Sequence, residues 1–302
     1  MPADRNDPPT GRLVLAYLSV FLIWGSTYLA IRIGVRDIPP ALFAGLRFLI
    51  AGGILFLHGV ITRRPLPRVG PALRIQSIIG ILLLAGGNGM VVWSEQWIHS
   101  GLTALIIASV PLFMSSIDAA IPGGHRLSLA GWLGIFIGFG GVALLVWPSI
   151  AGTGGDLVPE GILGLLLASF FWSSGSIYSK RRSIGGDVLM NTSVQMLAGG
   201  AVLLTIALAS GETHGVTFTL QGMLSLLYLI VFGSIIGFTS YIYLLHHVPP
   251  AKASTYAYVN PVVAILLGNL ILSEPLGWRT VLSAVVILGG VAIVQTARAR
   301  PT

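Results

Sequence analysis

The sequence has no cysteine and very few charged residues, and both shortages narrow what the chain can be. Without cysteine there can be no disulfide, no thiolate metal ligand and no cysteine nucleophile. Charged residues make up 9% of the chain, whereas about 25% is usual in soluble proteins. Hydrophobic residues make up 54%, and the mean hydropathy is +0.88. We therefore expect the surface of this protein to contact a lipid bilayer.

The sequence also lacks the motifs of several enzyme classes. It contains no G-x-x-x-x-G-K-[ST] loop for ATP, no H-E-x-x-H zinc motif and no G-x-S-x-G nucleophile motif. We expect a protein that is not an enzyme and that uses no cofactor or metal. An intramembrane enzyme is a distant alternative, because it would need acids, histidines or a nucleophile clustered at the middle of the membrane.

Ten apolar stretches follow one another along the chain, and each is close to the roughly 20 residues that cross a bilayer as a helix. Because backbone groups in lipid must be hydrogen-bonded internally, long continuous apolar runs predict helices. The sequence thus predicts an all-α membrane protein with ten transmembrane helices. The predicted spans are 13–33, 41–61, 73–93, 100–120, 129–147, 160–179, 188–209, 221–244, 252–272 and 278–296.

Basic residues lie mainly in alternate connecting segments, and Lys and Arg are enriched on the cytoplasmic side of membrane proteins. One set of segments holds Arg5, Arg12, Arg63, Arg64, Arg68, Arg74, Arg126, Lys180, Arg181, Arg182, Lys252, Arg298 and Arg300. The other set holds only Arg36 and Arg279. Both termini are therefore predicted to be cytoplasmic. The net charge of +7 is explained by this topology, and we expect no nucleic-acid partner.

The two halves of the chain repeat one another. Trp24 recurs as Trp172, and Pro111 recurs as Pro261, at nearly constant separation. Five spans per repeat is an odd number, so the second repeat must be inverted in the membrane, and a substrate site is expected between the repeats. The predicted organisation is a disordered cytoplasmic tail over 1–12, repeats over 13–147 and 160–296, an external linker over 148–159 and a cytoplasmic tail over 297–302.

Aromatic and small polar residues within the spans are candidates for a substrate cavity. Trp24 and Trp172 lie too deep for the aromatic belt at the membrane interface. Aromatic rings would suit an amphipathic amine or an aromatic solute. The alternative for each residue is ordinary helix packing. The candidates are Trp24, Thr27, Tyr28, Asn88, Trp93, Trp172, Ser176, Tyr241, Tyr256, Tyr258 and Asn260.

Four further positions suggest roles in helix geometry. Pro111 and Pro261 interrupt the hydrogen-bond ladder of their spans and predict kinks. Arg47 is a charge inside the second span, and Gln195 is its equivalent in the second repeat. A structural or gating role is favoured for this pair, and contact of Arg47 with an anionic substrate is the alternative.

Glycine spacing indicates close packing of the last helix of each repeat. Gly134 and Gly138 form a G-x-x-x-G pattern, and Gly289 and Gly290 lie in the tenth span. Such spacing lets two helices approach closely. We expect this contact within a monomer, with a homodimer as the alternative.

None of the acidic residues lies at the middle of a span; Glu95, Asp118, Glu160 and Glu274 fall at span ends. Proton-driven carriers usually hold a carboxylate or histidine within the membrane. This distribution argues against a buried carboxylate relay. It leaves both facilitated transport and proton antiport open.

Several segments resemble the EamA-type repeat of the drug/metabolite transporter superfamily. They are Trp24-Gly25-Ser26-Thr27-Tyr28, Ile38-Pro39-Pro40, Gly45-Leu46-Arg47-Phe48, and Pro261 followed by Leu272-Ser273-Glu274-Pro275-Leu276. The first repeat departs from this pattern, with His125 where the second has Glu274.

The resemblance implies an alternating-access carrier in a bacterial inner membrane that exports small metabolites. The first, third, fourth, sixth, eighth and ninth helices would line its cavity. The aromatic second half favours the YddG-type branch, which exports aromatic and other neutral amino acids. A phosphorylated-metabolite or nucleotide-sugar antiporter is the alternative, but it would need several basic residues in the cavity.

Overall fold

The computed structural model describes residues 10–65, 70–124, 126–151, 158–182 and 185–297. The predicted N-terminal tail, linker and C-terminal tail fall largely outside these residues, and so does His125. The helices are α1 Thr10–Gly34, α2 Pro40–Ile61, α3 Pro71–Ser94, α4 Ser100–Ala120, α5 Leu129–Ile150, α6 Pro159–Arg181, α7 Val188–Ala209, α8 Leu220–His247, α9 Tyr256–Leu272 and α10 Trp278–Thr296.

Nine of these helices, within the described ranges, are long and apolar enough to cross a membrane. The exception is α9, which has 17 residues. The predicted ninth span began earlier, at residue 252, but Ser254 and Thr255 form a turn between a short helix, Pro250–Ala253, and α9. The ten predicted helices are therefore present in the described ranges, and two of the predicted spans, the fourth and the ninth, are divided by a turn.

The helix starts follow from local sequence. Proline is the first residue of α2, α3 and α6, a position where its missing N–H is not needed. Side-chain oxygens cap three other helices: Ser128 accepts from Gly131 N, Asp187 from Met190 N and Thr219 from Gly222 N. These bonds satisfy N–H groups that have no partner inside the helix.

Three helices contain π-helical stretches that the sequence did not predict. They are Ser19–Ile23 in α1, Ile81–Asn88 in α3 and Leu229–Phe238 in α8. Such stretches are rare and are frequently found at functional sites. All three lie near the middle of their helices, so they mark the level at which these helices leave regular α geometry.

The two proline positions differ from each other. Pro111 follows a turn at Ala108 and Ser109 that divides α4. Pro261 lies inside a continuous helix, and the turn at Ser254 and Thr255 comes well before it. The backbone is thus interrupted just before Pro111, while α9 continues through Pro261.

Equivalent helices of the two repeats pack against each other. α2 packs along α7, and α5 packs along α10. A side chain at Gly290 would place its Cβ 2.4 Å from Gly138 N and 2.7 Å from Gly134 O, so only glycine permits this approach. The G-x-x-x-G pattern of α5 therefore contacts α10 of the same chain, and the remaining six helices surround the centre of the molecule.

Candidate functional site

A cavity lies at the centre of the helices, with an empty volume of about 600 Å³ including its opening. Seven helices contribute to its wall, and α2 does so in addition to the six that the resemblance implied. The lining residues are Trp24, Thr27, Tyr28, Ile31, Arg47, Phe48, Leu84, Gly87, Asn88, Val91, Ile107, Val110, Ala168, Trp172, Gly233, Phe238 and Tyr256.

Four aromatic residues from four helices form a cluster at this cavity. The Trp24 ring lies 5.4 Å from Trp172, 5.1 Å from Tyr241 and 5.3 Å from Tyr256, centroid to centroid. Two of these contacts are edge-on, a favourable geometry for aromatic pairs. Sequence analysis selected all four residues, and the structure brings them together. We refer to Trp24, Trp172, Tyr241 and Tyr256 as the aromatic cluster.

Hydrogen bonds hold the aromatic cluster in place. Trp172 Nε1 donates to the Tyr241 hydroxyl at 3.1 Å, and that hydroxyl also bonds Ser176 Oγ at 2.7 Å. Trp24 Nε1 donates to the carbonyl oxygen of Gly233, at 3.1 Å, within the π-helical stretch of α8. Ser176 and Tyr241 do not line the cavity themselves. They support the tryptophans that do.

Arg47 is the cation of the cavity. Its side chain lines the wall and is buried, with 3% relative exposure. Its Nε donates to Ser234 Oγ at 2.8 Å, and Nη1 donates to Asn88 Oδ1 at 3.3 Å. No carboxylate in the described ranges lies within ion-pair distance of it. The guanidinium is therefore held by neutral groups, which leaves its charge uncompensated beside the cavity.

Gln195, the equivalent of Arg47 in the second repeat, lies elsewhere. It is buried between α7 and α3, where its Nε2 donates to Gln76 Oε1 at 2.6 Å. This hydrogen bond joins α7 to α3. The equivalent positions of the two repeats therefore differ in their surroundings: Arg47 lines the cavity, whereas Gln195 does not.

Besides Ser176 and Tyr241, three candidate residues do not line the cavity. Trp93 is 36% exposed and contacts Trp97 edge-on. Tyr258 packs on the small apolar cluster of α4, α5 and α10. The amide nitrogen of Asn260, with its amide oriented to satisfy its neighbours, faces the carbonyl oxygens of Tyr256 at 3.3 Å and Phe21 at 2.9 Å, joining α9 to α1.

Helix geometry explains where Trp93 and Tyr258 lie. Successive residues are rotated by about 100° around a helix axis. Trp93 follows Asn88 by five positions, so it points about 140° away. Tyr258 follows Tyr256 by two positions, so it points to nearly the opposite side. Both therefore point away from the residues of their helices that line the cavity.

Two acidic residues are buried at positions where hydropathy predicts no burial. Glu95 and Glu274 lie at helix ends, as predicted, but their relative exposures are only 0% and 8%. Glu274 accepts hydrogen bonds from Ser100 N, Ser100 Oγ and Gly101 N, at 2.9, 2.8 and 3.2 Å. It therefore caps the start of α4. Hydropathy marks where an apolar run ends, and it does not show that neighbouring helices enclose that point.

Apolar helices arranged as two repeats around a central cavity define a multi-pass membrane protein. A sequence model of the EamA-like transporter family matches residues 11–147 and 159–296. The chain belongs to this family, which is part of the drug/metabolite transporter superfamily. It is accordingly a transporter and not an enzyme.

Individual relatives agree with this assignment. The chain is 40% identical over 282 residues to the uncharacterized inner membrane transporter YedA of Escherichia coli strain K12, covering 92% of this chain and 89% of that protein. It is 26% identical to the uncharacterized transporter YoaV of Bacillus subtilis, covering 93% and 95% of the two chains. A solved crystal structure shares its fold, with a TM-score of 0.67, 19% identity and coverage of 97% and 100%. These findings support a multi-pass protein of a bacterial inner membrane.

Proposed function

We propose that this transporter exports small amphipathic metabolites that carry a carboxylate, above all aromatic and other neutral amino acids, by alternating access. The observation that carries the proposal is the uncompensated charge of Arg47 beside an aromatic wall. A guanidinium forms strong, directional hydrogen bonds with a carboxylate. The substrate carboxylate would bind Arg47 and its neighbour Asn88.

The rest of the cavity suits the remainder of such a substrate. Trp24, Trp172 and Tyr256 present aromatic surface, which can stack on an apolar or aromatic side chain. The same rings can hold a primary ammonium through cation–π contact. A nucleotide sugar or phosphorylated metabolite fits less well, because Arg47 is the sole basic residue among those that line the described cavity.

The predicted orientation assigns the two ends of this cavity. With a cytoplasmic N-terminus, α1 runs outward, so Trp24 is closer to the cytoplasm than Tyr28 and Ile31. The aromatic cluster then closes the cytoplasmic side, and the part of the cavity near Ile31 and Val91 faces outward. In alternating access the two repeats would exchange these roles.

Counterflow in proteoliposomes tests the substrate. Labelled phenylalanine or threonine outside should exchange with unlabelled amino acid inside, and phenylalanine amide, which lacks the carboxylate, should compete poorly. Arg47→Gln should lower the exchange rate at half-saturating substrate by about 10- to 100-fold, because a charged hydrogen bond contributes about 1.5–3 kcal/mol. Arg279→Gln, at the exposed start of α10, is the matched control.

Two results would refute the proposal. One is the absence of amino-acid exchange by wild-type protein that is monodisperse in detergent. The other is equal competition by phenylalanine and its amide. If Arg47→Gln fails to fold, the ligand comparison in the wild type still decides the role of the carboxylate, and Arg47→Lys tests whether the charge alone restores exchange.

A further inference from the structure

Glu95 is a buried carboxylate with no partner. It follows the last residue of α3, and its side chain is fully enclosed. Neither carboxylate oxygen has a hydrogen-bond partner. A buried carboxylate without hydrogen bonds is unfavourable when ionised. Most buried acids in proteins are capped or paired, as Glu274 is, so this one needs an explanation.

Arg32 of α1 is the neighbour that could pair with Glu95. Its Nη1 donates to the main-chain oxygen of Glu95, while its own Nε is buried and has no partner. The two side chains influence each other electrostatically without forming an ion pair. Arg32 Nε is therefore a free donor close to the free carboxylate of Glu95. The two residues are joined only by the hydrogen bond from Arg32 Nη1 to the main-chain oxygen of Glu95.

This contact lies directly beside the cavity. Glu95 N bonds Val91 O, one turn away, and Val91 lines the cavity. Arg32 follows Ile31, which lines it too. An ion pair between α1 and α3 at this level would therefore draw together two walls of the cavity at one end.

The charged and titratable groups that face Glu95 come from three directions. Tyr28 and Arg32 belong to α1, Arg47 to α2, and Glu274 to the loop between α9 and α10. The carboxylate of Glu274 is already occupied by the start of α4. Burial raises the pKa of Glu95 well above its usual range, and Arg32 only partly opposes this effect. Burial therefore favours the neutral form of Glu95, and the geometry agrees with this, since its carboxyl group and the Arg32 Nε lie unpaired.

We propose that Glu95 is a proton-binding site that couples proton movement to transport. Protonation leaves Arg32 unpaired and lets the outer end of the cavity open. Loss of the proton creates a carboxylate that pairs with Arg32 Nε and closes that end. The proton is exchanged with solvent and no covalent bond changes. This inference rests on the proposed function for its substrate. Contrary to the expectation drawn from the positions of the acidic residues, it assigns a proton-relay role to the carboxylate of Glu95.

The test is accumulation of labelled phenylalanine in proteoliposomes whose lumen is about one pH unit more acidic, with the membrane potential clamped by potassium and valinomycin. Exchange of one proton for one neutral amino acid supports up to about tenfold accumulation per pH unit. Glu95→Gln, which keeps the shape and cannot ionise, should abolish accumulation and retain counterflow at equal pH. Glu160→Gln removes an exposed acid at the start of α6 and should behave as wild type.

The outcomes separate this inference from the proposed function. Undiminished accumulation in Glu95→Gln, or accumulation that follows sodium instead of pH, would overturn the proton site. Accumulation only when the outside is acidic would support the site and overturn export. If wild type moves no amino acid, the substrate proposal fails, and titration of tryptophan fluorescence decides instead. A titration above the usual pH range of glutamate that disappears in Glu95→Gln supports the site, and its persistence refutes it.

Discussion

Removal of the Glu274 carboxylate should weaken the contact between the two repeats at the start of α4. The carboxylate accepts three hydrogen bonds, two of them from the backbone N–H groups of Ser100 and Gly101. Helix α4 has no side-chain cap of its own, since His99 makes none. Loss of an N-cap lowers stability by about 0.5–2 kcal/mol, and a buried donor left unsatisfied adds about 1–3 kcal/mol. We expect Glu274→Ala to lose about 2–4 kcal/mol of unfolding free energy.

The measurement is reversible unfolding in mixed micelles of dodecylmaltoside and sodium dodecyl sulfate, followed by tryptophan fluorescence. Glu274→Gln keeps one acceptor oxygen and should lose about half as much. Glu160→Gln, an exposed acid at another helix start, should change the free energy of unfolding by less than about 0.5 kcal/mol. A Glu274→Ala protein that unfolds within that margin of wild type would show that the cap does not stabilise α4.

Two other perturbations test the packing and the electrostatics. Gly290→Ala should destabilise the protein by about 1–3 kcal/mol through overpacking against Gly138. Gly289→Ala, with open space at its Cβ, should have little effect. Equal effects of the two substitutions in the same unfolding assay would contradict the packing described. Because the pKa of Glu95 is raised in the folded protein, the folded protein binds more protons than the unfolded one, and its stability should fall as pH rises through that pKa. Thermal melts across pH should show this fall in the wild type. A fall of the same size in Glu95→Gln would contradict the prediction.

The internal repeat allowed the centre of the molecule to be predicted from the sequence. Trp24 and Trp172 were paired by their spacing alone, and their rings meet at 5.4 Å. This follows from the architecture, because an inverted repeat brings equivalent helices to one axis.

Two features could not be predicted from the sequence: the side of its helix from which a side chain projects, and the burial of residues that lie beyond an apolar run. Trp93 and Tyr258 do not line the cavity, because the sequence of a single helix does not show which neighbour each of its faces contacts. Glu95 and Glu274 end or follow apolar runs, yet α1 and α4 extend far enough to bury them. Sequence periodicity describes one helix at a time, and these features depend on several.

The π-helical stretches also bear on helix length. The three helices that contain them, α1, α3 and α8, have 25, 24 and 28 residues, and the other helices of spanning length in the described ranges have 23 or fewer. At 1.5 Å per residue, 28 residues of α-helix would extend about 42 Å, well beyond about 30 Å of hydrocarbon. A π turn holds more residues than an α turn. The additional residues therefore widen the helix at that turn and do not lengthen it. Conversion of such a turn to α geometry would lengthen the helix and rotate its two halves against each other. In the alternating access proposed above, these three cavity helices would supply such changes of length and direction.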